Sequence, residues 1–533
     1  MAAARRSPRL PRWSERDAWL ICYPDQFGPS GIGGVRQVVG ALAPEINGVH
    51  LLPFHPSSSD GGFSVEDYAV VDPAVGTWRD IEALASDTRL MADAVINHVS
   101  AQGAWFRAHL AGDAAFVDFF FVVPDGADLS AVARPRPGPP VTRFVRNDGS
   151  EADYWTTFSA DQVDLDYRSP DVLLAVCEAV FRFVAAGASA VRLDAVAFLW
   201  KDAATTSMHL PQTHSVVALL RDCLDEIDPG VVLITETNVP HADNVAYLGT
   251  PERPGAHAVY QFTLAPLVLH ALHTGDTDPL CRWITEISLP PGTTVMNFLA
   301  SHDGVGVRPA KGWLTVDQVA ALAGRCVEAG GRVNEAATPG GSEPYELAAT
   351  WRSLCEVGVG APFDADELAA RIVAGHSIAL ALVGIPLLYV HSPAASPNAF
   401  DRVDASGVPR DLNRGRFPSP QEYLDALERD PIGSRVWPRL REMLVWRRER
   451  RAFHPEAEQE LVDAPAGVVA IRRGTGTDTA LVVTNLTAAA RSVPIGPGWE
   501  RMDDRTPIGP TVELGPWAVR WLARTEAGTV SAP

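Results

Sequence analysis

Cysteine is scarce and scattered. The 533-residue chain has six: Cys22, Cys177, Cys223, Cys281, Cys326 and Cys355. None forms a CxxC pair or a zinc-ligand spacing, which argues for reduced thiols in a cytoplasmic protein rather than a disulfide framework. No apolar run reaches membrane-spanning length. The N-terminal stretch is basic (Arg5, Arg6, Arg9, Arg12, with Pro8 and Pro11) but lacks the apolar core of a signal peptide, so residues 1–17 are expected to form a disordered tail. Positive charge is in deficit. Lys and Arg total 45 against 65 Asp and Glu, a formal net charge of −20, which argues against nucleic acid or an anionic membrane as partner. A small anionic substrate stays open, because a local Arg cluster can act inside an acidic protein. No solenoid-type repeat is present.

Hydrophobic content of 46% and charged content of 21% are those of a globular protein with more than one domain. The stretch 188–196 organises the rest. Its aliphatic run reads as a strand buried on both faces, interrupted by Arg192 and Asp194, whose two-residue spacing turns both side chains to one face. The pair is either a buried structural ion pair or a catalytic carboxylate kept ionised by the guanidinium beside it.

Similar strands are expected at 18–23, 49–54, 91–96, 231–236, 257–262, 293–298 and 385–390, separated by helix-like segments, with polar residues just past the strand ends. That alternation predicts an α/β fold: a (β/α)8 TIM barrel with an inserted subdomain after strand three, a second insertion after strand seven and a C-terminal antiparallel β domain. The expected divisions are the tail, barrel parts at 18–99, 168–303 and 368–455, insertions at 100–167 and 304–367, and the β domain at 456–533.

Three carboxylates, Asp194, Glu236 and Asp303, stand at strand tips, joined by His98 and His302. One acid alone could cap a helix; three with two histidines along the catalytic rim of a barrel point to chemistry. Two carboxylates across a glycosidic bond can attack the anomeric carbon and protonate the leaving oxygen. Asp194 suits the nucleophile because Arg192 should keep it ionised. Glu236 suits the acid/base because Leu233 and Ile234 beside it favour a raised pKa. Asp303 would stabilise the oxocarbenium-like transition state.

The set Asp93-Ala94-Val95-Ile96-Asn97-His98, Val191-Arg192-Leu193-Asp194, Glu236 and Ser301-His302-Asp303 resembles the four regions of the α-amylase superfamily, glycoside hydrolase family 13. A narrower resemblance is to the sucrose phosphorylase group, through Leu52-Pro53-Phe54, Ser59-Asp60-Gly61-Gly62-Phe63, Arg134-Pro135-Arg136, Trp155-Thr156-Thr157-Phe158, Gln162-Val163-Asp164 and Asp411-Leu412-Asn413-Arg414. The resemblance implies a β-glucosyl-enzyme released to inorganic phosphate as α-glucose 1-phosphate. It implies that Asp60, His98, Arg192, His302 and Arg414 hold the glucosyl unit, that Phe63 stacks on its face, that Gln162 also binds substrate, and that Arg136 and Tyr345 lie on the acceptor side.

Two departures loosen the aglycone. Ala133 stands where sucrose phosphorylases tend to carry Tyr, and Glu343-Pro344-Tyr345-Glu346-Leu347-Ala348 is closer to sister enzymes acting on sucrose 6-phosphate, glucosylglycerol or glucosylglycerate. The phosphate side is assigned to cationic forks, with Arg134, Arg136 and Arg414 as candidates. Amylases often bind calcium through the Asn of the Asn-His pair, here Asn97, and an acid of the inserted subdomain. No Asp/Asn-rich calcium loop appears in 100–165, so no metal is expected, and no cofactor. The expected partners are a small α-glucoside and phosphate, with the chain a monomer or homodimer. A hydrolase or transglucosylase of the same superfamily, a non-catalytic binding barrel and a metal-dependent barrel hydrolase are the rival readings.

Overall fold

The structure, a computed structural model, describes residues 12–136, 138–338 and 341–525. Eight strands form the centre: β1 (Trp19–Cys22), β2 (Gly48–Leu51), β3 (Arg89–Val95), β4 (Ala190–Asp194), β5 (Val232–Thr235), β6 (Ala258–Tyr260), β7 (Thr294–Asn297) and β8 (Ile385–Tyr389). They close into one barrel in chain order, each paired parallel to the next and β8 to β1. Almost every strand residue is buried, because side chains fill the barrel interior and helices cover the outside, so both faces must be apolar. The helix Pro170–Ala185 shows how the outer layer fits. Pro170 opens it where a missing N–H is harmless, and Val172, Val176, Val180 and Phe183 recur at helical spacing on its buried face.

Two excursions interrupt the barrel above the C-terminal ends of the strands. After β3, His98–Ser100 pairs antiparallel with Gln162–Asp164, anchoring the first excursion to the rim. Within it, Val141–Val145 and Glu151–Trp155 form a hairpin, and Phe121, Val123, Val132 and Trp155 make a separate small core. After β7, Val305–Gly306 joins the hairpin of Arg332–Thr338 and Gly341–Ala348 in a three-stranded sheet.

Beyond residue 458 the chain turns antiparallel: six strands in one sheet and two in a second. Strand alternation splits its side chains between two cores. Val468, Ala470, Leu481 and Val483 face the small sheet, while Val469, Ile471, Val482 and Trp521 join the main core of the barrel. Trp521 Nε1 donates to Ser377 Oγ at 3.0 Å.

One boundary differs from expectation. Residues 1–11 of the expected disordered tail lie outside the described residues, but 12–17 are packed against the barrel. Trp13 is buried and its Nε1 donates to Glu456 Oε1 at 2.7 Å. Asp17 is buried opposite Arg89 at 3.1 Å. An indole and a carboxylate that each find a partner hold the segment down; their composition alone looks like tail.

Candidate active site

The parallel register aligns the strand tips. Asp93 of β3 stands beside Arg192 of β4, and Val95 beside Asp194. Arg192, 1% exposed, donates from one Nη to Asp93 at 2.6 Å and to Asp194 at 2.9 Å, and faces Glu236 from its other Nη at 4.0 Å. Beneath it His50 Nε2 meets Asp93 at 2.9 Å, and the Tyr260 hydroxyl meets His50 Nδ1 at 2.6 Å. Just past Asp194 the backbone enters the left-handed region at Ala195 (φ 51°), a strained conformation for a residue with a Cβ. There the Ala195 N–H donates to Glu236 Oε2 at 3.0 Å, so the turn fixes both carboxylates at once.

Burial pushes Glu236 up from the ordinary carboxylate range against the pull of Arg192, with Asp303 adding to the rise. Burial also raises Asp194, again opposed by Arg192 and reinforced by Glu236. The sequence expectation that Arg192 keeps Asp194 ionised therefore needs amending. The contact exists, but burial outweighs it, and the negative charges of Glu236, Asp93 and Asp303 add to the rise. Asp303 goes the other way: burial alone would raise it, but Arg410, Arg414 and Arg192 hold it low. Arg410 Nη1 lies 2.9 Å from Asp303, and its other donors make a two-pronged contact with Glu346 at 2.9 and 2.6 Å.

These acids open into one cavity. It is lined by Asp60, Phe63, His98, Gln162, Asp194 and His302, by Arg136, Glu236, Asn238, Arg308 and Tyr345, and by Asp303, Glu346 and Arg410. His98 Nε2 and Gln162 Nε2 both meet the Phe63 carbonyl, at 2.9 and 3.2 Å, and the Phe63 ring stacks on His302 at 4.8 Å. Asp60 is also left-handed (φ 51°), and at Gly61 behind it a Cβ would sit 2.7 Å from Arg414 Nη1. Only glycine lets the loop approach that closely.

Ten of the twelve residues singled out from sequence line this cavity. Arg192 and Arg414 stand behind the wall: Arg414 donates Nε to the His302 carbonyl at 3.1 Å and faces Asp60 at 3.6 Å. They position acids that the cavity presents. Arg134 is exposed and does not line the cavity. Sequence reasoning missed Arg308, Asn238, Glu346 and Arg410. Arg410 lay in plain sight in the run that ends at Arg414.

Near the rim, the Lys201 ammonium is 2.8 Å from Asp164 Oδ2 and 2.8 Å from Asn97 Oδ1, and also meets the Phe198 carbonyl. Asn97 and an acid of the inserted segment are the kind of pair that holds calcium in amylases. Here an ammonium already occupies their acceptors, and a dication does not fit beside it.

Residues 43–304 match the family described as Alpha amylase, catalytic domain. The chain is 43% identical over 484 residues to the glucosylglycerate phosphorylase of Allomeiothermus silvanus, covering 89% of this chain and 86% of the relative. The chain belongs to the α-amylase family. Within that family it is a glycoside phosphorylase of the sucrose phosphorylase type. The sucrose phosphorylase of Agrobacterium vitis is 32% identical over 463 residues, covering 82% of this chain and 89% of the relative. Among solved structures, the sucrose 6F-phosphate phosphorylase of Thermoanaerobacter thermosaccharolyticum superposes with a TM-score of 0.76 at 24% identity, covering 89% and 94% of the two chains, a likeness of fold. The eight-stranded barrel with its C-terminal sheet is the architecture this α-amylase family member was expected to have.

Proposed function

We propose that this α-amylase family phosphorylase moves an α-glucosyl unit from glucosylglycerate to inorganic phosphate, with retention, releasing α-glucose 1-phosphate. Asp194 attacks the anomeric carbon. As the C1–O bond breaks, Glu236 gives its proton to the departing glycerate oxygen, and a β-glucosyl ester on Asp194 remains. Asp303, held ionised by Arg410, faces the positive charge that builds on the ring. Asp60, His98, Gln162 and His302 hold the sugar hydroxyls, with Phe63 against the ring face. Phosphate then attacks C1, Asp194 leaves as carboxylate, and Glu236 takes back a proton from the phosphate hydroxyl.

The observation that supports glycerate over sucrose is the ranking of relatives: 43% identity to a glucosylglycerate phosphorylase against 32% to a sucrose phosphorylase. The raised Glu236 supports its assignment as the acid, since the mechanism needs a proton donor beside the nucleophile. Phosphate is assigned to Arg136, which lines the cavity and forms no ion pair with a described residue, leaving its fork free for an anion that can outcompete water. The test is direct. The protein is incubated with glucosylglycerate, sucrose or glucosylglycerol, each with and without phosphate. The expected result is glucose 1-phosphate from glucosylglycerate in excess over the other donors, and only when phosphate is present. Equal release of free glucose without phosphate contradicts the reading.

A further inference from the structure

Two guanidinium groups in the cavity lack a carboxylate partner among the described residues. Every acid on its wall has a donor: Asp194 has Arg192, Glu236 the Ala195 N–H, Asp303 and Glu346 share Arg410, and Asp60 faces Arg414. Arg136 and Arg308 line the same cavity without an ion pair to a described residue. In a chain of net charge −20, two unpaired cations in one cleft mark a place for anions.

Their positions separate their tasks. Glu236 marks the glycosidic oxygen, because it must protonate it. Two residues further along the same loop, Asn238 packs its amide against Gly306: a Cβ there would lie 2.4 Å from Asn238 Oδ1. Arg308 follows Gly306 by two residues and lines the same cavity as Glu236 and Asn238. Its loop is braced: the Val307 N–H donates to the Tyr345 carbonyl at 3.0 Å, Arg308–Ala310 form a 3-10 turn, and the guanidinium carbon sits 5.9 Å from the centre of the Tyr345 ring. A half-buried Arg held over an aromatic ring keeps its fork oriented without spending its donors. Arg136 has other neighbours: its charge is felt by Asp303 and Glu346, whereas that of Arg308 is felt by His209; Tyr345 feels both.

We propose that Arg308 recognises the carboxylate of the departing glycerate, and so sets the preference for an anionic over a neutral aglycone. The inference rests on the reading of glucosylglycerate as donor. A bidentate guanidinium–carboxylate contact discriminates by roughly 10- to 100-fold.

The test compares wild type, Arg308→Gln and Arg308→Lys on glucosylglycerate and on its neutral counterpart glucosylglycerol, with phosphate saturating and then varied. Thermal melting of each variant controls for folding. The expected result is that Arg308→Gln raises KM for glucosylglycerate about 10-fold or more and collapses the preference over glucosylglycerol. The KM for phosphate should move by less than about threefold, and Arg308→Lys should restore part of the preference. Should Arg308→Gln keep the wild-type preference, or raise the phosphate KM as much as the glycerate one, the inference is overturned while the donor assignment stands. Should wild type itself fail to turn over glucosylglycerate, both fall.

Discussion

At Asp194 and Glu236 one guanidinium serves two acids, and a third, Asp93, takes its nearest contact. Removing Asp194 therefore does two things: it deletes the nucleophile and frees Arg192 toward Glu236. Asp194→Asn is expected to lose turnover by several orders of magnitude, with melting temperature little changed, as read by steady-state assay and calorimetry. Glu236→Gln is expected to stall on glucosylglycerate yet retain activity on α-glucosyl fluoride, whose leaving group needs no proton. The pH dependence follows from the directions of the shifts. Because burial raises Glu236, its protonated form persists above the usual carboxylate range, and activity falls as pH rises through that raised pKa. The acid limb appears where Asp194, which must be charged to attack C1, takes up its own proton. A bell-shaped kcat/KM profile is expected, and in Glu236→Gln assayed with the fluoride the alkaline limb should vanish. An alkaline limb that survives assigns the acid elsewhere.

Among elements, the eight barrel strands and the tips that carry the acids were legible because burial on both faces leaves a continuous apolar run, and a charge within such a run stands out. The hairpin of Arg332–Thr338 and Gly341–Ala348 was legible only as an excursion. What it brings, Tyr345 and Glu346, depends on contacts far along the chain: the Glu346–Arg410 pair spans 64 residues, and no local pattern reveals such a partner. The same holds for Arg308, which has no neighbour in sequence that betrays a ligand role. Lys201 is a further case. Only two of the 45 basic residues, Lys201 and Lys311, are lysines, and Lys201 is the one placed where three acceptors converge. Its compact ammonium with three donors suits that site as a planar guanidinium does not. Lys201→Met leaves Asp164 buried without its cation, and the expected loss is about 3–5 kcal/mol in chemical denaturation, against the usual cost of breaking a buried pair. A loss below about 1 kcal/mol would mean that Asn97 and Thr157, which donate to the same carboxylate, satisfy it alone.

For the whole molecule, the barrel and the C-terminal sheet share one core, through Val469, Ile471, Val482 and Trp521. Arg473, buried, donates to the Ala381 carbonyl at 2.8 Å and to the His454 carbonyl at 2.9 Å. Each large apolar side chain so buried contributes about 1.5–3 kcal/mol, comparable to a sizeable share of a domain's net stability. Truncation after residue 458 is expected to yield insoluble or molten protein, by near-UV circular dichroism and gel filtration; a soluble, active barrel would show the sheet to be dispensable. Sequence alternation announced this sheet, but not that one of its faces completes the barrel, because both of its faces are apolar. The central claim is that the tips of β4, β5 and β7 act on one sugar, with Asp194 carrying it. The most direct measurement is mass spectrometry of Glu236→Gln after brief reaction with α-glucosyl fluoride in the absence of phosphate. The account predicts one anhydroglucosyl unit on the peptide that contains Asp194, lost on adding phosphate with release of α-glucose 1-phosphate. An adduct on another peptide, or glucose 1-phosphate of the opposite anomeric form, would contradict it.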